Sequence, residues 1–221
     1  ISFDSKKIKK NNIFFAIKGN KIDGNNFVKD AIKRGSKVIV TEKKFKEFKN
    51  GILYITTKNI RKLLAEISFR IHNEKSKNLV AVTGTNGKSS IADFYHQILK
   101  LNNKKVASIG TLGVKSNTKN FNLINTTADP IQLSKILRKL KRQKIDNVIM
   151  EASSHGLKQN RLDGLNFNIG IFTNLSQDHL DYHKDLKSYL KAKLYLFEKL
   201  IKKRGYVITD EKIPEFKKIK K

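Results

Sequence analysis

Apolar residues recur along the chain in two different rhythms. Over residues 1–76, short apolar runs at 13–17, 38–40 and 52–55 read as strands. Between them, residues 25–34 place Phe27, Ala31 and Ile32 at helical spacing, and Gly35 then stops the run. Residues 59–72 repeat the helical pattern, with Leu63, Leu64, Ile67 and Ile71 on the predicted apolar face. This helix leads into a second domain, with the boundary expected at residues 74–78.

From there, strand, loop and helix alternate. Strands are predicted at 79–82, 106–109, 148–150, 169–172 and 206–208, and helices at 88–99, 131–140 and 185–201. Such alternation implies a parallel sheet covered by helices. The expected fold class is α/β: a small mixed unit over residues 1–76, then a parallel-sheet domain over 77–221.

Composition narrows the picture. The chain has 221 residues, 38% hydrophobic and 30% charged, enough for one large domain or two small ones with a real core. No apolar run reaches the roughly 18–20 residues a membrane helix needs, and the opening ISFDSKK is not a signal peptide. The first residue is not Met, so trimming is expected at that end. Cys is absent, which excludes disulfides, thiolate metal sites and a Cys nucleophile and fits a reducing cytoplasm.

Lys and Arg number 47 against 19 Asp and Glu, a net charge of +28. That balance can mark a nucleic-acid binder. Here the lysines spread through every segment, with abundant Asn and Ile, so a compositional bias is the better reading. No aromatic-rich basic strand or reading helix supports nucleic-acid binding. The positive field still favours polyanionic ligands, nucleotides among them.

Gly84, Thr85, Asn86, Gly87, Lys88, Ser89 and Ser90 follow a predicted strand and open a predicted helix. In that context glycines let the backbone approach a phosphate closely, and successive N–H groups form an anion cradle. Lys88 can reach terminal phosphates and Ser89 can hold Mg²⁺. The loop departs from GxxxxGK[ST], because the first Gly would fall at Val82. An ordinary strand-to-helix turn is the alternative.

Two further segments end predicted strands on the same sheet edge: Glu151 to His155, and Asn174 to His183. Open α/β sheets bind ligands at that edge. A carboxylate, imidazoles and hydroxyls around a nucleotide suit a Mg²⁺ site for phosphoryl transfer.

These motifs resemble the Mur ligase family, MurE type, over nearly the whole chain. The phosphate loop alone also admits folylpolyglutamate synthases and other Mur ligases. NTTADP (125–130), MEASSHGLKQNRLDGLNF (150–167) and FTNLSQDHLDYH (172–183) are more specific. The resemblance implies an ATP-dependent cytoplasmic ligase, a monomer with no nucleic-acid or membrane partner. Its substrates would be UDP-N-acetylmuramoyl-L-alanyl-D-glutamate and a free amino acid, with diaminopimelate favoured over lysine. ATP would convert the D-glutamate carboxylate to an acyl phosphate, which the incoming amine attacks.

Residue roles follow from the same resemblance. Gly84 to Ser90 would bind ATP, with Lys88 at the β/γ end. Ser89, Glu151, His179 and a carbamylated Lys193 would hold Mg²⁺. Without the resemblance, Lys193 reads as a solvated helix lysine. Asn125, Thr126, Thr127, Ser153, Gln159 and Arg161 would contact the sugar-peptide. Phe3 and Ser5 of FDSK, and Asn20, Lys21 and Ile22 of GNKIDG, would hold the uridine end; Lys6 stands where the family has Arg. Such a ligase is expected to continue past residue 221 through the rest of its ATPase domain into a C-terminal, amino-acid-selecting domain. The chain therefore reads as a fragment.

Overall fold

The computed structural model describes residues 1–118 and 120–219. The chain divides into two compact units, Ile1–Ser68 and Phe69–Lys221.

The first unit holds a four-stranded sheet. Its strands are β1 (Ile13–Phe15), β2 (Val38–Thr41), β3 (Phe48–Lys49) and β4 (Ile52–Thr56), in the order β1-β2-β4-β3. β1, β2 and β4 are parallel, and the short β3 closes the edge antiparallel to β4. β1 ends two residues earlier than the apolar run suggests, because the Ile17 N–H turns back to the Phe15 carbonyl at 2.9 Å.

The helix expected over 25–34 splits into a 3-10 turn, Gly24–Phe27, and α1 (Val28–Lys33). Asp23 explains the split: its carboxylate accepts from Asn25 N at 2.9 Å and competes with the helical pattern. Gly35, at φ +97°, ends the segment as its sequence position suggests. Ala31 packs with Ile8, Phe14, Ala16, Ile39 and Ile52 in the core of this unit. In α2 (Ile60–Ile71) the buried face is Ile60, Leu64, Ala65, Ser68 and Phe69, while Ile71 is exposed. The predicted face was displaced because Ser68 satisfies its hydroxyl on the Leu64 carbonyl at 2.7 Å and can be buried.

The second unit holds a six-stranded sheet. Its strands are β5 (Asn78–Thr83), β6 (Val106–Gly110), β7 (Gly113–Ser116), β8 (Asn147–Glu151), β9 (Phe167–Phe172) and β10 (Ile201–Ile208). The order is β10-β9-β5-β8-β6-β7, parallel throughout except for the edge hairpin β6–β7. The expected parallel sheet is therefore present, and β7 is an antiparallel addition the periodicity missed. β5 is buried from Leu79 to Thr83, as a strand covered on both faces must be.

The helices are α3 (Lys88–Leu101), α4 (Pro130–Arg142), α5 (Ser154–Lys158), α6 (Leu180–His183), α7 (Leu186–Tyr195) and α8 (Phe216–Ile219). Asp129 caps α4 by accepting from Gln132 N, and Pro130 follows in the first turn, where its missing N–H costs nothing. The helix expected over 185–201 ends sooner. α7 passes into a π-helical turn, Leu196–Leu200, and Ile201 already belongs to β10. The register of β10 shifts between Ile201 and Tyr206, and regular pairing resumes over residues 206–208, where the sequence places a strand.

Candidate active site

β5 lies between β8 and β9, and the loops leaving these strands meet at one sheet edge. The Gly84–Ser90 loop leaves β5 and enters α3. Gly84 (φ +148°) and Gly87 (φ +82°) both take conformations that L side chains rarely adopt. A Cβ on Gly84 would also overlap Thr173 Oγ1. Val82, where a longer glycine motif would begin, is instead still paired in the sheet beside Glu151 and Ile171.

The exit of β9 pins the loop in place. Thr85 N donates to the Asn174 carbonyl at 2.9 Å and Asn86 N to Asn174 Oδ1 at 3.0 Å. Thr173 Oγ1 donates to the Asn86 carbonyl at 2.7 Å, and Ser176 N to Thr85 Oγ1 at 3.0 Å. No side chain caps the N-terminus of α3. Its first amides therefore suit an anion, which both their orphan donors and the helix dipole favour.

Lys88 folds back onto this loop, donating to the carbonyls of Gly84 at 3.0 Å and Thr85 at 2.6 Å. Burial lowers its pKa, opposed by Glu151 and Asp178. Lys193, from α7, donates to the same Gly84 carbonyl at 2.5 Å and lies 4.2 Å from the Tyr189 ring centroid. It is 1% exposed and not a solvated helix lysine. Burial, and secondly Lys88, push its pKa down to about 7.

Glu151 ends β8, 2% exposed. Ser89 Oγ donates to its Oε2 at 3.0 Å and Thr111 N to its Oε1 at 2.9 Å. Ser89 and Glu151 thus already sit together as oxygen donors of the type a hard divalent cation takes. His179 (φ +52°) is exposed, with Nε2 3.5 Å from Asp178 Oδ2. Among the described residues no three His, Asp or Glu groups converge on one point.

A cavity of about 300 Å³ gathers these groups. Of the expected residues, the whole Gly84–Ser90 loop, Thr126, Glu151, Ser153, His179 and Lys193 line it. Asn125, Thr127, Gln159 and Arg161 stand outside that lining. Thr127 Oγ1 donates to the Glu151 carbonyl at 2.9 Å and accepts from Ser153 N at 3.0 Å, so it braces the wall. The Arg161 fork donates to the Thr127 carbonyl at 2.6 Å and to Gln159 Oε1 at 2.8 and 3.2 Å. Asn125 is exposed.

The remaining expected residues belong to the first unit. Ser2 pairs with Phe14 in parallel, which puts Phe3 and Ser5 at the same end of β1 as the 18–23 loop. Phe3 is 41% and Ile22 63% exposed, and Asn20 and Lys21 are exposed as well. Ser5 is buried, and its hydroxyl is the foremost cause holding the Asp30 carboxyl below its ordinary range.

Sequence reasoning missed Thr111 and Tyr189 in the lining, and gave Ser154 no role beyond its place in the Glu151–His155 segment. His183 was placed only within the Asn174–His183 segment; its buried ring reaches Ser154 Oγ at 3.0 Å. Burial foremost, then nearby Lys158 and His155, push the pKa of His183 down to about 4.

The sheet, the loop and the cavity define a phosphate-loop α/β protein. Residues 82–221 match the Mur ligase middle domain, and residues 1–74 match the Mur ligase family, catalytic domain. The chain belongs to the Mur ligase family.

It is 42% identical over 225 residues to the UDP-N-acetylmuramoyl-L-alanyl-D-glutamate–2,6-diaminopimelate ligase of Rickettsia conorii, covering 100% of this chain and 46% of that protein. The like-named ligase of Wigglesworthia glossinidia brevipalpis is 43% identical over 209 residues, covering 90% of this chain and 42% of that one. A solved structure of a ligase of this name superposes with a TM-score of 0.86 at 28% identity, covering 99% of this chain and 44% of that chain. MurF ligase from Thermotoga maritima in complex with ADP shares the fold, with a TM-score of 0.61 at 18% identity over 98% of this chain and 47% of that one. The chain spans about half the length of the curated relatives it matches.

Proposed function

We propose that this chain carries the UDP-substrate and ATP-binding parts of a ligase. The ligase adds the third amino acid, meso-diaminopimelate, to UDP-N-acetylmuramoyl-L-alanyl-D-glutamate. Residues 1–76 take the uridine end through Phe3, Ser5, Asn20, Lys21 and Ile22, and residues 77–221 the phosphoryl transfer. The convergence of Lys88, Ser89, Glu151 and Lys193 on one cavity below an uncapped helix N-terminus carries this reading. The names of relatives at 42–43% identity support the choice of substrate.

A carboxylate is a poor acceptor for an amine, because oxide is a poor leaving group. Transfer of the ATP γ-phosphoryl group to the D-glutamate side-chain carboxylate gives an acyl phosphate, and attack by the amine then expels phosphate. Residues Gly84 to Ser90 hold the phosphates by backbone N–H groups, and Lys88 leaves its own loop to meet the β/γ end. Ser89, Glu151 and His179 would hold Mg²⁺, which when bound would supply positive charge to the phosphate oxygens. Thr126 and Ser153 face the sugar-peptide, Thr127 braces that wall from behind, and Arg161, with Asn125 and Gln159, orients its carboxylate end.

Lys193 completes the site as a carbamate. Its neutral amine attacks CO₂, an N–C bond forms as one C=O bond of CO₂ opens to the carboxylate, and the nitrogen loses one proton, so a neutral amine becomes an anion that can face Mg²⁺. A pKa near 7 keeps a large neutral fraction at neutral pH.

Calorimetric titration tests the reading on the chain itself. Binding of both Mg·ADP and the UDP-muramoyl-dipeptide, with no binding of a folate substrate, is the expected result. Failure to bind the UDP-muramoyl-dipeptide, or equal preference for a UDP-muramoyl-tripeptide or a folate, would overturn the assignment.

A further inference from the structure

We propose that Thr111 is a positioning residue that sets the Glu151 carboxylate for the metal and couples it to the sugar-peptide pocket through Thr126. The proposal rests on the ligase reading above. Thr111 is the first of two residues in the tight turn between β6 and β7, and it faces the cavity.

Its backbone N–H donates to Glu151 Oε1 at 2.9 Å, and its hydroxyl donates to Oε2 at 3.2 Å. One residue therefore grips both carboxylate oxygens. The preceding residue makes this possible, since a Cβ on Gly110 would overlap the Glu151 carboxylate.

A threonine hydroxyl has a single proton. With that proton given to the carboxylate, the Thr126 hydroxyl, 3.1 Å away, is left as the donor to Thr111. The bonds then run in one direction, from Thr126 to Thr111 to Glu151. Each donor in such a chain polarises the next, and the last bond is charge-assisted. A substrate group that takes up the Thr126 hydroxyl changes what Thr111 receives, and hence how firmly Thr111 holds Glu151. Filling of the sugar-peptide pocket is thereby felt at the metal carboxylate with no direct contact.

The test measures the enhancement of ADP affinity by Mg²⁺ over EDTA for the chain and for Thr111→Val, Thr111→Ser, Thr126→Val and the double valine variant. In Thr111→Val, which keeps the N–H and loses the hydroxyl, the enhancement should fall roughly tenfold, while Mg²⁺-free ADP affinity is unchanged. Thr111→Ser should restore it, and the double variant should be no worse than Thr111→Val alone. Full enhancement in Thr111→Val, no rescue by serine, or additive losses in the double variant would overturn the proposal. If Thr111→Val does not fold, Thr126→Val decides: an undiminished enhancement there refutes the coupling. Glu151→Gln separates the two levels. An enhancement it leaves intact, or none in the parent chain, sinks the ligase reading of the metal site itself.

Discussion

Lys193 donates to the carbonyl of Gly84 from beneath the phosphate loop, and Lys88 donates to that same oxygen from within it. Two ammonium groups on one carbonyl repel each other, and the buried one yields its proton more easily. The arrangement favours the neutral amine of Lys193 and so its conversion to a carbamate.

Lys193→Ala in a ligating enzyme that contains this sequence should be nearly inactive. Acetate or formate should restore part of the activity by filling the vacated anionic position. Alanine is at least as good a helix former, so α7 should persist. Steady-state ligation rates with and without added acetate check this; ordinary activity in the variant would remove Lys193 from the mechanism.

The same lysine makes stability depend on pH. Its folded pKa of about 7 lies below the ordinary 10.5, so between these values the unfolded chain binds more protons. Stability should therefore rise with pH across that window, by up to about 1.4 kcal/mol per unit, and be lost as pH falls toward 7. Denaturant unfolding of the parent chain and of Lys193→Met, in CO₂-free buffer from pH 7 to 10.5, should show a steeper rise for the parent. Parallel curves would show that Lys193 is charged in the folded chain.

Lys88→Ala should weaken ADP and ATP binding while leaving the melting temperature nearly unchanged. The backbone cradle, set by Gly84, Gly87 and the bonds from Thr173 to Ser176, does not depend on that side chain. Fluorescence titration with a nucleotide analogue reads the loss, and unaltered affinity would show that Lys88 never leaves the Gly84 and Thr85 carbonyls.

The phosphate loop was legible in the sequence because its chemistry is local: two glycines, a lysine and a serine between a strand and a helix. The placement of Glu151 and His179 at one cavity was legible because each lies beyond a predicted apolar strand on the same sheet edge. Thr111 was not, since a lone threonine in a two-residue turn resembles any turn residue until β8 brings Glu151 beside β6. The burial of Lys193 was equally hidden, because hydropathy puts lysine in solvent and only the Gly84 carbonyl and the Tyr189 ring explain its place. The short helices α5 and α6 depend on a Ser153 cap and a left-handed His179, neither of which has a periodic signature.

Arg161→Lys should raise the requirement for the UDP-muramoyl-dipeptide nearly as much as Arg161→Ala. The guanidinium fork spans the Thr127 carbonyl and Gln159 Oε1, and a single ammonium cannot match that span. A hydrogen bond to a charged group is worth about 1.5–3 kcal/mol, or roughly ten- to a hundredfold in binding. Titrations of the dipeptide and of ADP against both variants decide it. A loss confined to ADP would place Arg161 on the nucleotide side.

The last prediction concerns His183, whose ring is 1% exposed and whose pKa is pushed down to about 4. Nδ1 has no hydrogen-bond partner among the described residues, and Nε2 meets Ser154 Oγ at 3.0 Å. A proton added to this ring gains nothing inside the protein and meets Lys158 nearby. The unfolded chain, by contrast, takes that proton near pH 6.5. The sign follows: full stability above about pH 6.5, and progressive loss as pH falls toward 4, at up to about 1.4 kcal/mol per unit. His183→Gln should be less stable at pH 7, because it disturbs a packed ring beside Tyr189. Its stability should nevertheless decline less steeply with acid than that of the parent. Melting temperatures from pH 7 to 4 measure the two slopes. Equal slopes would mean that His183 accepts its proton within the folded chain, and that the acid sensitivity lies elsewhere.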